Sequence, residues 1–93
     1  DYGQPEHSWS TGYEAGDGVD SHYERIRVAN PAINGNNFNL AESGARMDDL
    51  PGQAVNAVNS GADYVTIQMG GNDLCRDEAS EMTPTAQFQT DFT

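Results

Sequence analysis

Two short stretches hold most of the chemical capacity of this sequence: Glu42-Ser43-Gly44-Ala45-Arg46 and Gly70-Gly71-Asn72-Asp73. Their glycines let backbone approach a bound group closely. The Asn72 amide is a neutral donor able to reach the same space. One backbone and one side-chain donor converging on a point is the arrangement that stabilises a developing oxyanion. The same Gly-Gly-Asn-Asp also spells a plain turn at a strand end, and the residues alone leave both readings open.

Nucleophile and base are harder to find. Ser43 stands in the first loop, but no nearby histidine accompanies it. His7 adjoins Ser8 and lies close to Ser10, yet neighbouring side chains in an extended loop point apart, which argues against a working pair. His22 falls in the first turn of a predicted helix, where the positive end of the dipole disfavours imidazolium, so a surface or packing role is expected. Trp9 reads as an anchor tying its loop to the body of the protein. Asp17-Gly18-Val19-Asp20 lacks the spacing of a calcium-binding loop and reads as a solvated acidic face. No metal and no cofactor is expected.

The elements that must position the two loops are legible in part. Residues 1–19, rich in Gly, Ser and acids, carry no apolar period and read as loop. Ser21 and Glu24 have capping-box spacing, predicting a helix over 21–30 that Pro31 closes. Phe38 and Leu40 share one face of a short strand over 37–41. Leu50, Ala54, Ala57 and Val58 line one face of a second helix, with Asp48 and Asp49 at its positive end and Gly61 past its last turn. Residues 64–69, Tyr-Val-Thr-Ile-Gln-Met, read as a buried strand. Strand, helix and strand in this order predict a right-handed βαβ crossover with parallel strands. Thr83 and Pro84 suit N-cap and N1 of a last helix bearing Phe88 and Phe92 one turn apart. In open α/β sheets ligands bind beyond the carboxyl ends of the strands, which is where both loops fall.

Composition limits what such a chain can do. Its 93 residues carry 15 Asp and Glu against 4 Arg and no lysine, a net charge of −11. Arg25, Arg27, Arg46 and Arg76 are too few and too scattered to neutralise a run of phosphates, which excludes nucleic acid as a partner. An anionic membrane surface repels the chain, and no apolar run is long enough to span a bilayer. Leu, Ile, Val and Phe total only fourteen, a signature of segments too polar to fold alone. The single cysteine, Cys75, is expected either as a buried free thiol or as half of a bridge to a partner outside these residues. The chain opens at Asp1 without a Met or a signal-type apolar stretch, as expected of a processed or excised piece.

The run Asn39-Leu40-Ala41-Glu42-Ser43-Gly44-Ala45-Arg46, followed after the helix by Gly61-Ala62-Asp63-Tyr64-Val65-Thr66-Ile67-Gln68-Met69-Gly70-Gly71-Asn72-Asp73-Leu74-Cys75, resembles blocks II and III of the SGNH hydrolases, also called GDSL lipases or esterases. His7-Ser8-Trp9-Ser10-Thr11-Gly12 and Ser21-His22-Tyr23 are similar to pieces of secreted, actinobacterial-type members. The resemblance implies an α/β, flavodoxin-like three-layer α/β/α fold. Here it would be an incomplete portion of one domain over 1–93, about two parallel strands and three helices in the order αβαβα. It implies hydrolysis of carboxylic esters, of lipid or acylated carbohydrate, by a Ser-His-Asp mechanism. The family's oxyanion donors fall on the Gly44 N–H and the Asn72 side chain.

The family's nucleophile lies in a Gly-Asp-Ser block that this sequence lacks, Gly16-Asp17-Gly18 being the nearest lookalike. Its base lies in a downstream Asp-x-x-His block, also lacking. The serine-bearing strand of the family runs between the two strands predicted here. The 93 residues alone are therefore expected to be inactive. In similar secreted members the cysteine at the Cys75 position pairs with one further on. That pairing, high acidity and the absence of lysine favour an extracellular location. Two other readings remain open on sequence: a non-catalytic module whose Gly44 and Asn72 donors hold a carboxylate or sugar oxygen, and an inactive, partly disordered fragment.

Overall fold

A computed structural model describes residues 3–93 and divides the chain into two compact units, one ending at Asn39 and the other running Leu40–Thr93. Asp1 and Tyr2, part of the predicted N-terminal loop, lie outside the described residues. Among the described residues there are four α-helices: α1 His22–Ala29, α2 Leu50–Ser60, α3 Gly71–Leu74 and α4 Thr85–Phe92. Single 3₁₀ turns lie before α1 at Pro5–His7, between α1 and α2 at Pro31–Ile33 and Met47–Asp49, and before α4 at Ala79–Glu81. None of the helices among the described residues is long and apolar enough to cross a membrane.

In the first unit α1 forms where its capping box predicts. The Glu24 N–H donates to Ser21 Oγ at 3.1 Å and the Ser21 N–H to Glu24 Oε1 at 3.2 Å. Ser21 is fully buried, and its hydroxyl also donates to the Gly12 carbonyl at 2.7 Å. The preceding loop is tied down by backbone: the His22 N–H reaches the Trp9 carbonyl at 3.1 Å and the Tyr23 N–H that of Ser10 at 2.9 Å. Tyr23, the buried aromatic of α1, receives the Gly35 N–H on its hydroxyl at 2.9 Å and carries the Arg27 guanidinium 5.3 Å above its ring. The unit is therefore an ordered wrap of loop around one helix, held more by polar contacts than by apolar burial.

In the second unit α2 and α4 pack on the Met47–Asp49 turn and on each other, enclosing Met47. Pro51 stands in the first turn of α2, where its missing N–H is no loss, and Gly61 closes the helix with φ 74°, a left-handed cap. Of the predicted apolar face, Leu50 and Ala57 are half-buried, whereas Ala54 and Val58 are exposed.

The predicted strands are absent: the described residues contain no β-strand, and 37–41 and 64–69 are irregular backbone. The flavodoxin-like sheet and its βαβ crossover are thus not realised here. Parallel strands are stable when flanked by other strands and covered on both faces. The resemblance puts a further, serine-bearing strand between these two segments, and the sequence has none to offer. Val65 and Ile67, expected to be buried, are 53% and 59% exposed. The chain exposes 6810 Å² for 10.0 kDa, against about 5,200 Å² for a folded monomer of that mass.

The last helix departs from expectation at its start. No side chain caps α4, whose N-cap is Pro84. The Thr83 hydroxyl expected in that role donates instead to Asp73 Oδ1 at 2.7 Å. A charged acceptor makes a stronger hydrogen bond than a neutral cap, so the tertiary contact wins.

Candidate active site

Gly44 and Asn72 belong to the second unit, which brings their loops together. Gly44 has φ 80°, a conformation costly for any residue with a Cβ, and it is exposed, with no atom within 4 Å of the space a Cβ would fill. Its N–H meets no protein acceptor among the described residues. Asn72 lies in α3, one turn long and entered through Gly70. Its Nδ2 donates to the Ala45 carbonyl at 2.8 Å. An amide NH2 carries two hydrogens: one fixes the side chain against the first loop, and the second meets no protein acceptor among the described residues.

The next residue is the most deeply buried described in the second unit. Asp73 is 1% exposed, deeper than either buried apolar side chain, Met47 at 4% or Tyr23 at 7%. Its carboxylate accepts the Met47 N–H, at 3.0 Å to Oδ2 and 3.3 Å to Oδ1, besides the Thr83 hydroxyl. Its carbonyl accepts the Thr83 N–H at 2.9 Å. Sequence reading missed this hub, since a lone aspartate in a glycine-rich turn gives no sign of burial. The Arg46 N–H closes the loop's other side on Asp49 Oδ2 at 2.9 Å.

Among the described residues neither Ser43 nor Ser8 is hydrogen-bonded to a histidine. Ser43 is exposed. Ser8 Oγ accepts the Ser10 and Thr11 N–H groups, each at 3.3 Å, and so caps its own turn. His7 turns to Asp17 instead, Nδ1 to Oδ2 at 2.7 Å. The hydrogen bond to Asp17 is the main cause holding the imidazole above its ordinary pKa, with the charges of Asp17, Glu6 and Glu14 adding to it. The His22 ring lies edge-on to that of Trp9 at 5.0 Å and 87°, so Trp9 does anchor its loop to α1. Cys75 is exposed, not buried: the short helix before it ends at Leu74, and the thiol faces solvent. Among the described residues no three His, Cys, Asp or Glu side chains are grouped to hold a metal ion.

The family model for GDSL-like lipases and acylhydrolases matches residues 2–93, almost the whole chain. The chain belongs to this family. Comparison with curated proteins and with solved structures returns no significant match. Membership in the GDSL family places the chain among ester hydrolases of the lipase and acylhydrolase kind. The match also spans the first unit, where the loop of Trp9 and the helix of His22 are joined.

Proposed function

We propose that the Gly44 and Asn72 loops are the oxyanion-binding part of a GDSL ester hydrolase whose serine nucleophile and histidine base come from segments outside these 93 residues. The 2.8 Å hydrogen bond from Asn72 Nδ2 to the Ala45 carbonyl carries the reading. It seats the side-chain donor one residue from the backbone donor and leaves each an N–H to offer. Both donors are neutral and need no cofactor. In the reaction the serine attacks the ester carbonyl, the histidine takes its proton, and the carbonyl oxygen becomes an anion received by Gly44 N–H and Asn72 Nδ2–H. Collapse expels the alcohol, leaving an acyl-serine that water hydrolyses by the same steps. The substrate is a lipid or acylated carbohydrate ester, and the setting is extracellular.

The nucleotides flanking the segment that encodes these residues are expected to specify Gly-Asp-Ser upstream and Asp-x-x-His downstream. The polypeptide carrying all these blocks hydrolyses p-nitrophenyl butyrate, and Asn72→Ala lowers its kcat about 10²- to 10³-fold with little change in KM. The 93 residues alone give no turnover with p-nitrophenyl acetate or butyrate. Absence of either block, or turnover by the 93 residues that Ser8→Ala, Ser10→Ala or Ser43→Ala abolishes, overturns the proposal.

A further inference from the structure

Adjacent residues Asn72 and Asp73 grip one loop at two points two residues apart. Asn72 holds the Ala45 carbonyl, and Asp73 holds the Met47 N–H. A single hydrogen bond fixes a distance and leaves the loop free to swivel about it. Two fix its orientation, and with it the direction of the Gly44 N–H immediately before the first point. A third segment closes the arrangement, because Thr83 binds the Asp73 carboxylate through its hydroxyl and the Asp73 carbonyl through its N–H.

The sign of the charge is informative. A carboxylate so close to Asn72 opposes an anion there, so Asp73 does not serve the oxyanion electrostatically. Nor is it half of an ion pair: the described residues pair Asp17 with His7 and Asp20 with Arg25, and give Asp73 only neutral donors. A buried carboxylate is unfavourable unless hydrogen-bonded, and here its donors come from two separate segments.

We infer that Asp73 is a positioning residue that, by holding Met47 and Thr83 at one carboxylate, sets the Gly44 N–H in register with the Asn72 amide. The inference rests on the reading of Gly44 and Asn72 as oxyanion donors, and its test separates the two. Nuclear magnetic resonance on the 93-residue chain follows the Asn72 side-chain amide and the exchange of the Met47 N–H. Asp73→Asn speeds exchange of the Met47 N–H at least about tenfold, as loss of a charge-assisted hydrogen bond requires, and shifts the Asn72 amide resonances. Thr83→Val, milder for the fold, shifts the Asn72 resonances in the same direction, and Thr83→Ser, which keeps the hydroxyl, restores them.

In the polypeptide that carries the nucleophile and base, Thr83→Val lowers kcat about three- to tenfold with KM unchanged, and Thr83→Ser recovers it. Asn72 resonances that ignore Thr83→Val overturn the positioning role alone. Wild-type kcat in Asn72→Ala overturns the oxyanion reading, and the positioning role with it.

Discussion

His7 Nδ1 and Asp17 Oδ2 lie 2.7 Å apart across ten residues of glycine-rich loop. The other carboxylate oxygen of Asp17 accepts the Val19 N–H at 2.8 Å. One carboxylate thus joins the turn at Pro5–His7 to the approach to α1. His7, raised from 6.5 chiefly by its hydrogen bond to Asp17, contributes stability that is full below 6.5 and lost as pH rises through the raised value. Asp17, lowered from 3.8 first by His7 and then by the Val19 N–H, contributes stability that is full above 3.8 and lost as pH falls through the lowered value. Both are intact between 3.8 and 6.5. Limited proteolysis within 14–18 is expected to be slowest in that window and to accelerate above it. His7→Gln removes the rise with alkaline pH; a rise of equal size in that variant refutes the link.

Ser21 is the most deeply buried hydrogen-bonding side chain described in the first unit. Its hydroxyl accepts the Glu24 N–H and donates to the Gly12 carbonyl, with no exposure to water. Ser21→Ala removes the cap and leaves a carbonyl without its donor, a combined loss of about 2 kcal/mol. Urea unfolding followed at Tyr23 should show a lower midpoint. Ser21→Thr, which keeps the hydroxyl, should retain most of the stability.

What was legible in the sequence was what is decided locally. The Ser21 and Glu24 cap and the Gly61 stop act within a few residues of the helices they bound, and both helices formed there. The segments at 37–41 and 64–69 have strand-like composition, but strand stability comes from neighbours, and neighbours are not written in a local pattern. Thr83 illustrates the same limit, since its competing acceptor, Asp73, lies ten residues upstream. The meeting of the Gly44 and Asn72 loops was foreshadowed by motif spacing. The carboxylate that holds them was not, because nothing in Gly70-Gly71-Asn72-Asp73 distinguishes a buried aspartate from a solvated one.

Cys75 offers a direct measure of the region after α3. An exposed thiol reacts without unfolding, so Ellman's reagent should titrate one equivalent per chain under native conditions, with no further equivalent in denaturant. Protection of Cys75 in the native 93 residues would place it inside rather than at the surface. In the longer polypeptide, failure to react until reductant is added would reveal the bridge that the family resemblance implies.

Two glycines separate fold from function. At Gly12 a Cβ would lie 2.3 Å from the Ser8 carbonyl oxygen, a distance no ordinary adjustment relieves. Gly12→Ala therefore has to displace the Ser8 turn, and with it the carbonyl that Ser21 binds; loss of α1 circular dichroism checks this. At Gly44 a Cβ meets nothing within 4 Å, and only φ 80° resists substitution, by about 1–2 kcal/mol. Gly44→Ala should keep the helices of the second unit while turning its N–H away from the Asn72 amide. In the polypeptide that carries serine and histidine, kcat for p-nitrophenyl butyrate should fall at least about tenfold, while Tm falls only by the several degrees that about 1–2 kcal/mol of backbone strain costs. A Gly44→Ala variant with undiminished kcat would remove the backbone donor from the site.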